Sequence, residues 1–116
     1  MNEITITASL SFSKDGKTAS LSQSPTRFTM TGGDYSEGTL SAASTEAAIA
    51  LPGSNTEGFL FIKNLSTDTD ILVGPTGAQN IVVPFGGCAL FKCGSTALYY
   101  KTSSGTAEMQ FLLIEA

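Results

Sequence analysis

The chain has no histidine and no tryptophan, only two cysteines, and few charges. Each shortage excludes a class of function. Without histidine, no side chain titrates near neutral pH by default, and neither a Ser–His nor a Cys–His pair can form. With no histidine and no third cysteine, a zinc site lacks ligands. Charged residues make up 14% of the 116, with a net charge of −4, against about a quarter in an average domain. Lys14 and Lys17 are the densest cationic pair, so binding to nucleic acid by phosphate neutralisation is not expected. No apolar run approaches the roughly 18 residues that a membrane-spanning helix needs, so no membrane partner is expected. The first residues show no basic segment leading into an apolar stretch and cleavage site, which implies no secretion signal and synthesis in a reducing cytoplasm.

Motifs for chemistry are missing as well. There is no G-x-S-x-G elbow and no G-x-x-x-x-G-K-[ST] phosphate loop. Two carboxylate pairs, Asp34 with Glu37 and Asp68 with Asp70, are the only candidates for acid–base work of the glycosidase kind. Both sit among Ser, Thr and Gly, where turn chemistry accounts for them. Asp68 and Asp70 lack the full loop that a calcium ion's six to eight oxygens require. Tyr35, Tyr99 and Tyr100 could offer a sugar platform, but Tyr99 and Tyr100 are neighbours and point to opposite faces of a strand. No catalytic, cofactor-binding or metal residue is assigned. Cys88 and Cys93, if on one strand, stand about 16 Å apart, beyond disulfide reach, and read as two small buried hydrophobes.

What fills the chain is serine and threonine in strict alternation with apolar residues. In the run EITITASLSFSK, Ile4, Ile6, Ala8, Leu10 and Phe12 alternate with Thr and Ser, the period of a strand with one apolar face. Asp15-Gly16 then signals a two-residue hairpin. That turn pairs Lys14 with Lys17, Phe12 with Ala19 and Leu10 with Leu21, so both apolar sets share a face. Pro25 is expected to end the second strand, and RFTMT to alternate again with Phe28 and Met30 inward. The stretch SEGTLSAASTEAAIAL reads as an irregular connection into a short strand around Ala47, Ile49 and Leu51. Further strands follow at GFLFIKN, ILVG, IVVPF, CALFKC, ALYYK and MQFLLIE, separated by turn residues.

The expected fold is therefore all-β: an antiparallel β-sandwich, jelly-roll-like or barrel, of about eight to ten short strands. It is expected as one β domain over residues 1–116, with residues 1–13 as first strand or as an N-terminal docking arm. Two strands are apolar on both faces, Phe59 to Ile62 and Met109 to Ile114 apart from Gln110. Such strands need cover on two sides, from within the chain or from a partner.

The order FIKNLSTDTDILVG, VVPFGGCALFKC and ALYYKTSSGTAEMQFLLIEA resembles small auxiliary virion proteins of tailed bacteriophages, over about residues 58 to 116. The shared outline is an aromatic strand ending in Asn-Leu, a turn, a strand ending in Gly, a glycine-marked turn and a final apolar strand. The resemblance implies a non-enzymatic capsid cement or decoration protein of the virion, assembled in the host cytoplasm. It implies the major capsid protein as partner and a homotrimer as the working form. The alternative is a glycan- or receptor-binding module of a tail fibre or spike.

Overall fold

The computed structural model describes residues 3–30, 35–49, 58–93 and 98–115. All regular structure among them is strand, in three antiparallel sheets. The chain divides into two compact units, Met1–Thr31 and Gly32–Ala116.

The first unit is a ribbon of two long strands, β1 (Ile4–Lys14) and β2 (Lys17–Phe28). Asp15 and Gly16 both take positive φ, 52° and 75°, as a type I′ turn requires. The pairs are those the turn dictates: Lys14 with Lys17, Phe12 with Ala19, Leu10 with Leu21. Pro25 does not end β2. The register steps from Ile6–Thr26 to Ala8–Gln23, so Thr7 faces both Ser24 and Pro25. A bulge is where a strand tolerates a residue without an N–H. The extra residue also flips parity. The odd-numbered Ala19 and Leu21 thereby share a face with the even-numbered Phe28, which pairs with Ile4.

The second unit is a sandwich of two four-stranded sheets. One has the order β3–β10–β5–β8, from β3 (Tyr35–Ala42), β10 (Ala107–Glu115), β5 (Gly58–Asn64) and β8 (Cys88–Cys93). The other has the order β4–β9–β6–β7, from β4 (Ala47–Ile49), β9 (Leu98–Lys101), β6 (Ile71–Gly74) and β7 (Ile81–Val83). Leu60, Ile62, Met109, Phe111 and Leu113 of the first sheet share one core with Ile49, Ile71, Val73, Val83 and Tyr100 of the second. The apolar side chains alternate inward along each strand, as the pleat demands.

Residues 36–42, expected as irregular connection, form with Tyr35 the full strand β3, paired along β10 from Ala42–Ala107 to Tyr35–Ile114. Nothing local in YSEGTLSA favours a strand. A free edge of β10 supplies the hydrogen bonds, and tertiary pairing overrides propensity. Gly58 is held to glycine by close approach, because a Cβ there would lie 2.0 Å from the Ile114 carbonyl oxygen.

Asn64 ends β5 and joins three segments. Its Nδ2 donates to the carbonyls of Thr69 (2.9 Å) and Val83 (3.0 Å), and its Oδ1 accepts from the Ser66 N–H (2.9 Å). The residue is 3% exposed, so these bonds replace water that the carbonyls would otherwise lose.

Candidate functional site

The residues with chemical potential are scattered. Asp34 lies outside the described residues, so its pairing with Glu37 is not described; Glu37 is exposed on β3. Asp68 and Asp70 serve different turns. Asp68 Oδ1 accepts from the hydroxyls of Ser66 (3.1 Å) and Thr69 (2.9 Å), while Asp70 Oδ1 accepts from the Phe85 N–H (3.0 Å). The three tyrosines do not converge: Tyr35 is exposed at the β3 edge of one sheet, Tyr99 is half-buried on the other sheet, and Tyr100 is in the core. No group of three metal-ligating side chains occurs among the described residues.

Both cysteines lie on β8 and, five residues apart, on opposite faces. Cys93 is buried as expected, and burial raises its thiol pKa to about 11. Cys88 is exposed, contrary to its reading as a buried hydrophobe. The core face of β8 carries Ala89, Phe91 and Cys93, which leaves Cys88 on the outside with Leu90 and Lys92.

One polar cluster was not legible in the sequence. The Glu46 carboxylate accepts from the Thr76 hydroxyl, from the Gly77 N–H (3.0 Å) and from Gln79 Nε2 (2.7 Å). These three donors hold its carboxyl below the usual range. Thirty residues of sequence separate Glu46 from Thr76, so no local pattern announces the pair. Its donors lie in the turn after β6, and it acts as a latch on that turn.

Among the described residues, exposed apolar side chains stand together on two sheet faces, while Leu65, Ile81, Val82 and Phe85 are exposed elsewhere. The first is the outer half of the ribbon. Leu10 and Leu21 are each 78% exposed and Phe12 56%, and their register puts them with Ala19 on one face. The opposite face carries Ser9, Ser11, Ser20 and Ser22. A two-stranded ribbon is marginal by itself in water, and side chains this apolar and this exposed, side by side, mark a contact surface.

The second place is the outside of the β3–β10–β5–β8 sheet, the second face of the two doubly apolar strands. Phe61 and Leu112 pair across β5 and β10 and are each 37% exposed, and Tyr35 is 55% exposed. Half-buried Phe59, Leu90 and Ile114 fill in around them. Periodicity alone identified β5 and β10 here. It could not name Tyr35, Glu37, Leu90 or Lys92 as their neighbours, because strand order decides that.

No protein-family model and no curated protein matches this chain.

Proposed function

We propose that this chain is a structural β protein of a tailed-bacteriophage virion, a capsid cement or decoration protein that binds and stabilises the major capsid lattice. The observation that carries this reading is the ribbon face of Leu10, Phe12, Ala19 and Leu21, apolar and exposed on a ribbon whose other face is hydroxylated. Such a ribbon is suited to adhesion. Its apolar face lies on a partner, and its serines desolvate without stranding an ion. Each strand of the pair also has an edge not used in its own two-stranded sheet, so a partner strand can add to it by backbone hydrogen bonds. The resemblance of residues 58–116 to auxiliary virion proteins supports the major capsid protein as that partner.

Cementing then follows from linkage. A chain that binds the assembled lattice and not its free subunits raises the stability of the lattice. Many copies around a closed shell turn weak single contacts into durable ones. The test is co-sedimentation of the purified chain with capsids that lack it, followed by thermal disruption of the particles. Binding with a raised disruption temperature is expected, lost in Leu10→Asp and Leu21→Asp variants whose sandwich remains folded. Equal sedimentation of those variants, or particles no more stable with the chain than without it, refutes the reading.

A further inference from the structure

The outer face of the β3–β10–β5–β8 sheet is divided by charge. Across the sheet it reads in rows: Tyr35, Ile114, Phe59, Lys92; then Glu37, Leu112, Phe61, Leu90; then Thr39, Gln110, Lys63, Cys88. Glu108 follows Gln110 on the same face of β10. Both acids, Glu37 and Glu108, therefore stand on β3 and β10. Both bases, Lys63 and Lys92, stand on β5 and β8. The seam between the halves is apolar in two rows, Leu112 against Phe61 and Ile114 against Phe59, and polar in the next, Gln110 against Lys63.

A face with acid on one side, base on the other and an apolar seam between is complementary to itself. A two-fold axis parallel to the strands, lying over the seam, lays the β3 and β10 half of one copy on the β8 and β5 half of the next. Leu112 then meets Phe61 of the second copy, Tyr35 lies over its Lys92, and Gln110 over its Lys63. Glu37 and Glu108 each fall within one step along a strand of an opposing lysine. The other in-plane two-fold, across the strands, lays the acidic half on the acidic half and the basic half on the basic half, which repulsion disfavours. We propose that this chain self-associates through this face as an isologous pair of sheets, the closed symmetry most common among oligomers, packed in the aligned manner of a β-sandwich.

The size of the face sets the strength. Four strands by four rows span about 20 Å by 20 Å, on the order of 400 Å² per copy, about half of a standard interface. The pair is therefore a weak, concentration-dependent dimer. It differs from the trimer implied by the virion resemblance, and it stands whether or not the ribbon binds a capsid.

Sedimentation velocity across micromolar concentrations tests this, with the 12.0 kDa chain expected to move toward twice its mass. Phe61→Asp is expected to weaken association at least about tenfold, with the β-type circular dichroism spectrum retained. Glu37→Lys and Lys92→Glu are each expected to weaken it, and the double variant to restore it. Within one chain these two side chains are on strands at opposite edges of the sheet, three strand spacings or about 14 Å apart, so their rescue reports an intermolecular contact. Thr39→Cys provides a second readout. Position 39 and Cys88 are also at opposite edges within a chain, but come face to face across the pair. A bis-maleimide shorter than that 14 Å span is expected to join copies of this variant and not of the wild type. A wild-type chain that stays monomeric to about 1 mM, a trimer, no charge-swap rescue, or no cross-linking by Thr39→Cys overturns the proposal.

Discussion

Asn64→Asp is the most informative single change. The two side chains have nearly the same shape, so no cavity opens. What changes is donor capacity. Nδ2 gives two hydrogen bonds, to the Thr69 and Val83 carbonyls at 2.9 and 3.0 Å. A carboxylate gives none and sets a negative oxygen against those carbonyls. Each lost bond costs about 0.5–1.5 kcal/mol net, and each buried group left unsatisfied about 1–3 kcal/mol. Counting the two carbonyls as left unsatisfied, and not the lost bonds a second time, the cost is about 2–6 kcal/mol, a large part of the roughly 5–15 kcal/mol that holds a domain. For a unit the size of Gly32–Ala116, that lowers Tm by about 10–50 °C. The loss depends on pH in a defined direction. Burial, and the two carbonyls facing one carboxylate oxygen, outweigh the single Ser66 N–H that donates to the other, so the folded carboxyl pKa rises above its unfolded value of about 4. The variant is therefore worst above the folded pKa and recovers as pH falls, when the protonated carboxyl donates one bond. The assay is thermal unfolding followed by the near-UV tyrosine signal at pH 7 and pH 4, with wild type subtracted at each. All three tyrosines lie in the larger unit, so the ribbon does not contribute to that signal. A loss under about 1 kcal/mol at pH 7, or an equal loss at both pH values, would refute the role given to this side chain.

Two further outcomes follow from the same structure. Cys88 is exposed and Cys93 is buried with a thiol pKa raised to about 11, so an alkylating reagent at pH 8 is expected to modify one thiol rapidly. The second should react only on unfolding, and mass spectrometry of the timed reaction reads both. Two equally fast thiols would contradict the core placement of β8. Glu46 has its folded pKa depressed by Thr76, Gly77 and Gln79, so its contribution is present above the unfolded value and lost as pH falls through the folded one. Wild type is expected to lose stability on acidification below about pH 5 through this group, and Glu46→Gln to flatten that part of the profile. Identical acid profiles for both proteins would remove Glu46 as a latch.

Local pattern was enough for several elements. The alternation of Ile4 through Phe12 and the Asp15-Gly16 turn specify the ribbon and its register, because a period of two and a type I′ turn admit one phase. GFLFIKN, ILVG and CALFKC coincide with β5, β6 and β8 for the same reason: short apolar runs bounded by turn residues can only be strands in a chain this rich in them. Pro25 was misread because a missing N–H ends a regular ladder, and only the partner strand reveals that a bulge excuses it. The strand at Tyr35–Ala42 was missed because its stabilisation comes from β10, seventy residues away in sequence.

Sequence by itself determined the material of this protein: strands rather than helices, hydroxyls rather than charges, no histidine for acid–base work, and two strands with an apolar face to spare. Tertiary structure alone decided where that spare surface lies and what borders it. Strand order placed Glu37 and Lys92 at opposite margins of one sheet with Leu112 and Phe61 between them. The physical reason is that side-chain direction along a strand is a local property of the pleat, whereas the neighbour across a sheet is chosen by non-local backbone hydrogen bonding.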